Sequence, residues 1–257
     1  MKTYEAIDVI SKAIIADGLC EAILVKGSIG RGDDDEFSDV DMYAVVKEEH
    51  LETFLTHRMG YLESYLPLLY ASHVNFVAEQ IVAIFNNGIH FDLYTVTANT
   101  LPHSDKAKII YDPANKFSSY EPEYRIIAVE ELVYYFDEAL YYFIEGDAAY
   151  RRGNYPWAQH IMSSTISCGA VLLRYLYDKD YAYLGLKKIN EIIPAEQFEW
   201  LCGAASRMDR ESIDKIMEYL IKILDYIVDN YPAEISEKFN LKFYYWIKEN
   251  IGITLFL

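Results

Sequence analysis

Residues 27–41 read Gly-Ser-Ile-Gly-Arg-Gly-Asp-Asp-Asp-Glu-Phe-Ser-Asp-Val-Asp, set between the β-prone runs EAILV (21–25) and MYAVV (42–46). The order implies a strand, a glycine-serine turn, an acidic loop and a second strand. Side chains alternate along a strand, so Asp39 and Asp41 point to one face while Val40 points into the core. Two carboxylates held side by side repel unless a cation lies between them. An oxygen-only pair of this kind suits Mg²⁺, which usually takes one or two carboxylates together with substrate phosphates. Gly27 lets the backbone come close to a ligand, and free N–H groups after it can cradle an anion. The plainer alternative is a solvated acidic loop capping a strand, which needs neither Gly27-Ser28 nor the buried strand context.

Outward from this stretch, Ile7, Ile10 and Ile14 fall at helical spacing, and Gly18 stops a helix over 3–17. Strands are expected over 21–26 and 38–46, and helical periodicity over 48–65 ends at Pro67. Segments 81–85 and 89–97 flank Asn86-Asn87-Gly88, a hairpin signal. A short last strand is expected at 108–111. From Glu123 the texture becomes helical, roughly over 123–147, 154–178, 184–192, 196–206, 210–230 and 234–249, punctuated by Gly153, Pro194 and Pro232. The expected fold class is therefore α+β. A mixed α/β domain with a small sheet spans 1–115, and an all-helical domain spans 116–257.

The form GSxxRGxxxxxSDxD, carried by Gly27, Ser28, Arg31, Gly32, Ser38, Asp39 and Asp41, resembles the signature of the nucleotidyltransferase superfamily that includes DNA polymerase β. More narrowly it is similar to that of antibiotic and minimal nucleotidyltransferases. The resemblance implies Mg²⁺ on Asp39 and Asp41, a nucleoside triphosphate co-substrate with ATP as the default, and triphosphate held by Gly27 and Ser28. Arg31 either contacts phosphate or pairs with the acidic loop at 33–36. The resemblance also implies a third carboxylate on a neighbouring strand, and Asp92 in IHFDLYTV (89–96) is the candidate. His90 and Tyr94 would share its face, with Phe91 and Leu93 in the core. An aspartate within so apolar a strand is costly unless it binds something. The alternative is a strand-end aspartate facing solvent. In antibiotic-modifying members this third residue holds metal, acts as the base on the acceptor hydroxyl, or both. Asp is one methylene shorter than the Glu some of them use, and the resemblance puts Asp92 either in the metal site with Asp39 and Asp41 or at the acceptor as base.

The segment from Phe143 to Pro194 is similar in texture to the helical domain of aminoglycoside and lincosamide nucleotidyltransferases: a Gly-Asn-aromatic helix start, a long apolar helix, then a Gly-x-Lys-Lys turn. Asn154 is a candidate N-cap with Pro156 in the first turn. Trp157 reads as ordinary core at this spacing. Lys187 or Lys188 either reaches the nucleotide's phosphates or lies solvated at the surface. Glu131, Glu138 and Glu145 are seven apart on one helical stripe, interleaved with Tyr134, Tyr135, Tyr141 and Tyr142. The stripe reads equally as a wall for a polycationic acceptor or as a solvated face.

Composition bounds the partners. The 257 residues carry a formal charge of −17, with 24 tyrosines. That balance disfavours general nucleic-acid binding, which runs on Lys and Arg, and favours a cationic small-molecule acceptor, although solubility alone accounts for it equally. Cys20, Cys168 and Cys202 show no CxxC spacing, as expected for a reducing cytoplasmic setting. The first eighteen residues read as an amphipathic helix rather than a signal peptide, and no run approaches a membrane span. The resulting expectation is a nucleotidyltransferase of antibiotic-resistance type, monomeric or homodimeric, releasing pyrophosphate. The alternatives are a protein-modifying, antitoxin-like nucleotidyltransferase and a catalytically silent nucleotide-binding member.

Overall fold

The structure, a computed structural model, describes residues 2–75, 77–209 and 211–251. It is α+β: contacts divide the chain into one unit up to Tyr124, which holds the strands, and a helical unit from Arg125. Residues 116–124 belong with the first unit. Phe117 is buried there, and the Tyr120 hydroxyl donates to the Asp105 carbonyl at 2.8 Å.

The first unit runs α1 (Lys2–Asp17), β1 (Cys20–Lys26), α2 (Gly27–Arg31), β2 (Val40–Val46), α3 (Leu51–Glu63), β3 (Leu68–Asn75), β4 (Glu79–Phe85), β5 (His90–Val96) and β6 (Lys108–Tyr111). The six strands form one sheet in the order β3-β4-β5-β2-β1-β6, in which β2 and β5 pair parallel and the other pairs are antiparallel. Alternation sorts the side chains. Ile23, Val25, Val40, Met42, Phe91 and Leu93 bury one face with Ile7, Ile10 and Ile14 of α1 and Phe54 and Leu62 of α3. Ala22, Leu24, Tyr43, Val45 and Val96 turn to the other face, which Leu101 and Phe117 cover. The hairpin at Asn86-Asn87-Gly88 forms, with Gly88 at φ +85° and its N–H on the Phe85 carbonyl at 2.9 Å.

Two elements of this unit depart from the sequence pattern. Gly27-Ser28 opens a short helix rather than a bare turn. β3 has no counterpart among the expected strands: it is an edge strand with little burial on either side, Leu69 and Tyr70 being exposed, so it lacks the alternation that marks a half-buried strand. Its place is set by pairing with β4 from Leu68↔Phe85 to Asn75↔Glu79.

The second unit comprises α4 (Val129–Arg151), α5 (Tyr155–Tyr177), α6 (Ala195–Ala204), α7 (Ile213–Asn230), α8 (Ala233–Ser236) and α9 (Leu241–Asn250). Its core joins Phe136, Leu140 and Phe143 of α4 to Leu172 of α5 and Leu220 and Ile227 of α7. Asn154 caps α5 by accepting from the Trp157 N–H, with Pro156 in the first turn. The helix expected over 184–192 is instead two 3₁₀ turns, Lys179–Leu184 and Ile189–Glu191, parted by Gly185 and Lys188, both at φ +52°. The helix expected over 234–249 is split where Asn240 caps α9. The expected helix start at 210 lies outside the described residues. Among the described residues no helix is long and apolar enough to cross a membrane.

Phe91 is fully buried between His90 and Asp92, its ring 6.1 Å from that of Phe85. Phe91→Ala is expected to cost about 3–5 kcal/mol, read as a lowered urea midpoint. Leu69→Ser, at a site 70% exposed, should stay within about 0.5 kcal/mol.

Candidate active site

The end of β1 sets the geometry. Gly27 sits at φ +61°, and a Cβ built on it would lie 2.1 Å from Asp41 Oδ2. The Asp41 carboxylate therefore occupies the space that any side chain at position 27 would need. Three residues on, a Cβ at Gly30 would fall 2.6 Å from the Lys106 carbonyl oxygen and 2.8 Å from that of Val25. The two glycines let α2 lie flat against backbone and carboxylate. Ser28, between them, is buried, and its Oγ has no hydrogen-bond partner.

The acidic loop that follows is tied down at several points. The Tyr4 hydroxyl of α1 donates to the Asp34 carboxylate at 3.0 Å. Ser38 Oγ accepts from the Asp35 N–H at 2.9 Å and donates to Asp35 Oδ1. Arg31 donates to Asp105 Oδ2 at 2.8 Å and also pairs with Asp33. Of the two roles open to Arg31, the structure shows ion pairing, although one partner is Asp105, outside the loop.

Strand register then aligns the chemistry. Lys26 pairs with Asp41 across β1 and β2, Asp41 with Asp92 across β2 and β5, and Asp92 with Val82 on β4. Register partners share a face, so Lys26, Asp41 and Asp92 form a row. Tyr43 and Tyr94 form the next row, with rings stacked at 4.3 Å and 5° apart in plane. Asp39 precedes β2, half-buried. His90 stands between two carboxylates: Nε2 is 3.1 Å from Asp92 Oδ1 and Nδ1 is 4.0 Å from Asp39 Oδ2. Gln80, buried on β4, stands in register with Tyr94, on the face that carries Asp92. A cavity of about 560 Å³ opens beside Asp39 and His90, with Phe37, Ser38, Asn87 and Lys2 in its wall.

The electrostatics follow from burial. Burial pushes the Asp92 carboxyl above the ordinary carboxylate range; the Asp39 charge adds to the rise, while His90 and Gln80 oppose it. Burial also raises the Tyr94 phenol, reinforced by Asp41, Asp92 and Asp39. Lys26 is 4% exposed, donates to the Pro102 carbonyl, and lies over the Tyr43 ring at 4.6 Å. Burial brings its ammonium down to about 8 against the pull of Asp105.

Among the described residues no group of three or more His, Cys, Asp or Glu is arranged to hold a metal by itself. The Asp39 and Asp41 pair, the glycine cradle around Asp41 and the unpartnered Ser28 hydroxyl do fit Mg²⁺, an ion that draws much of its shell from phosphates and water. Gly27, Ser28, Asp39, Asp41 and Asp92 are thus brought together. Lys187 belongs to the second unit, exposed, its carbonyl taken by Arg174 at 2.5 Å. Gln80 and Lys26 were missing from the sequence reading. Their signal was a polar side chain on an inward strand position (Gln80) and a lysine immediately before Gly-Ser (Lys26).

The second unit shows its own surface feature. Trp157 is 52% exposed rather than core, its ring 5.3 Å from that of His160. With Tyr141, Tyr142, Glu145 and Ser164 these residues line a groove of about 300 Å³. Glu138 raises both the Tyr134 and the Tyr142 phenol. Glu131 does something else: it accepts from the Ala128 N–H and from Arg125, capping α4.

No protein-family model matches the chain, and no curated protein sequence matches it. Among solved structures, the chain is similar to a crystal structure of an aminoglycoside 6-adenyltransferase from Bacillus subtilis, at 13% identity, over 95% of this chain and 97% of that one, with a TM-score of 0.34. A likeness at that score leaves the chemistry of the site to its own residues.

Gly27→Ala is expected to destabilise by at least about 1 kcal/mol from left-handed strain alone, and by more because the Asp41 carboxylate must move; thermal unfolding reads the change. A second expectation concerns Lys26. Its folded pKa of about 8 lies below the ordinary 10.5, so between those values the unfolded chain holds a proton that the folded chain has released. Wild-type stability gains over that window, and below it carries the cost of the buried charge. Lys26→Met should therefore compare best with wild type at pH 7, and its relative standing should fall by pH 10 in urea unfolding.

Proposed function

We propose that the chain is a Mg²⁺-dependent nucleotidyltransferase that moves a nucleoside monophosphate from a nucleoside triphosphate to a hydroxyl of a small cationic acceptor. The observation that carries this reading is the register of Asp41 with Asp92 on adjacent parallel strands, beside a glycine whose missing side chain makes room for the Asp41 carboxylate. Asp39 and Asp41 would hold the metal, which supplies charge neutralisation on the phosphates. Gly27 and Ser28 would take the β and γ phosphates, the Ser28 hydroxyl being without a protein partner. The acceptor oxygen bonds to the α-phosphorus, the bond to pyrophosphate breaks, and the acceptor's proton passes to a carboxylate, for which Asp92 is the candidate. Positioning and electrostatics carry most of the work, as in phosphoryl transfer generally. ATP is the default donor.

Chemistry that each unit shows by itself supports a cationic acceptor of aminoglycoside or lincosamide type. The chain is strongly acidic. The second unit carries a groove with the exposed Trp157 ring, two tyrosines and Glu145, a combination that suits a desolvated amine through ring faces and carboxylate. A polynucleotide acceptor is disfavoured by the charge.

The test is pyrophosphate release with Mg²⁺, each of the four nucleoside triphosphates and a panel of aminoglycosides and lincosamides. Release should depend on one donor and one acceptor class, and Asp39→Asn, checked for folding by circular dichroism, should reduce it by about 10²-fold or more. Full activity in that variant would remove Asp39 from the metal site. Absence of release with every pair would remove the small-molecule acceptor.

A further inference from the structure

The cavity of about 560 Å³ beside Asp39 has walls tied down by the protein's own contacts. On one side Tyr4, next to Thr3 on α1, donates to Asp34 of the acidic loop at 3.0 Å. Within that loop Asp35 Oδ1 accepts from the Phe37 N–H at 2.9 Å. On the other side Asn87 is engaged by its own hairpin: it accepts from the Ile89 N–H at 3.2 Å and donates to the Tyr65 hydroxyl at 3.0 Å. Two groups in the wall serve no contact of this kind. Phe37 is 87% exposed, its ring given to water. Thr3 is 5% exposed, yet its Oγ1 has no hydrogen-bond partner among the described residues. A buried hydroxyl without a partner is costly to the folded chain. A flat ligand with a polar edge satisfies both groups at once, and the volume suits a small molecule of that kind.

We propose that this cavity is the nucleoside pocket of the donor, with Phe37 as the face on which the base stacks, Thr3 as a hydrogen-bonding partner for its edge and Glu36 as acceptor for an exocyclic amine. The inference rests on the nucleotidyl-transfer reading, and Asp39 joins the two: it stands in the cavity wall and, in that reading, on the metal that carries the triphosphate. Stacking is indifferent to which base is bound, because every base has a π-face. Selectivity then falls to the edge. The first three acids of the loop have partners within the protein, Asp33 in Arg31, Asp34 in Tyr4 and Asp35 in Ser38, whereas Glu36 is exposed and engaged by no described residue. A carboxylate only accepts hydrogen bonds. It favours adenine, cytosine or guanine, which carry an exocyclic amine, over uracil, which has none. The wall also holds Lys2, so it is not the one-sided acidic surface that a polycationic acceptor needs.

The test omits turnover. The α,β-methylene analogues of ATP, CTP, GTP and UTP are titrated into the full chain with Mg²⁺ by isothermal titration calorimetry, and magnesium tripolyphosphate, which has no base, is titrated in parallel. Phe37→Ala should weaken every analogue by about tenfold or more and leave tripolyphosphate unchanged, and Phe37→Trp should restore the loss. Thr3→Val, which keeps the shape and removes the hydroxyl, should weaken the analogues and again spare tripolyphosphate. Wild type should bind the UTP analogue least, and Glu36→Gln should narrow that gap. Circular dichroism checks each variant for folding; Phe37 is exposed enough that its replacement should leave the fold intact. Analogue affinities unchanged in both Phe37→Ala and Thr3→Val would overturn the pocket and leave nucleotidyl transfer standing. Equal wild-type affinity for the ATP and UTP analogues would overturn the selection by Glu36. An aminoglycoside whose binding falls in Phe37→Ala while the analogues hold would give the cavity to the acceptor and overturn the proposal equally. Failure of wild type to bind any analogue or tripolyphosphate would overturn the pocket and the nucleotidyl-transfer reading together.

Discussion

The site depends on one steric constraint: the Asp41 carboxylate fills the place where a side chain at position 27 would stand. A Cβ there would sit 2.1 Å from Oδ2, and the backbone is already in the left-handed region. The turn from β1 into α2 is therefore shaped around an acid two strand positions inside β2. Gly30 continues the same logic, lying against two carbonyl oxygens where no methyl group fits. Once the turn is pinned, the loop it feeds is held by Tyr4 on Asp34, by Ser38 on Asp35 and by Arg31 on Asp105. Tyr4 reaches the loop from α1, Ser38 and Asp35 tie it to itself, and Arg31 holds its start through Asp33, so Asp39 is delivered to the start of β2 from a restrained segment.

Charge placement gives that shape its meaning. A lysine and two aspartates stand in one row across three strands, Lys26 and Asp92 buried and Asp41 half-buried. Burying a charge is expensive unless it is paired or hydrogen-bonded, and the two buried members bear the mark: Asp92 is pushed up, and Lys26 is brought down to about 8. Stacked tyrosines close the row from behind, so the carboxylates face a wall of low polarity on one side and the open end of the strands on the other. Such a field acts strongly on a cation or on a phosphate chain carrying one.

The parts of this arrangement that local pattern encodes were readable in advance. Alternation put Asp39, Asp41 and Asp92 on faces opposite Val40, Phe91 and Leu93, and Asn86-Asn87-Gly88 marked the hairpin. What stayed hidden depends on partners distant in sequence. β3 is a strand because β4 lies beside it, with no buried face of its own. Trp157 follows the spacing of a core residue, yet its ring is exposed where α5 begins. Glu131 shares a stripe with Glu138 and Glu145 but is drawn to the α4 terminus by unpaired backbone N–H groups, a pull that operates only in the first turn of a helix. Gln80 and Lys26 acquire roles only through register, which alternation within a single strand does not determine.

Register is also why the one parallel pairing in the sheet matters. β2 and β5 run in the same direction, so their first residues lie at the same edge and Asp41 comes beside Asp92. Had β5 run antiparallel to β2, its start would stand opposite the end of β2. Across a seven-residue strand that displacement is about 20 Å at 3.3 Å per residue, too far for a single ion or a single reacting hydroxyl to meet both acids. Parallel neighbours cannot be joined by a tight turn and need a crossover. Here α3, β3 and β4 supply it, and β4 returns on the far side of β5 to place Val82 opposite Asp92 and Gln80 opposite Tyr94. The crossover that makes the parallel pairing possible thus also brings buried Gln80 to the face that carries the third acid.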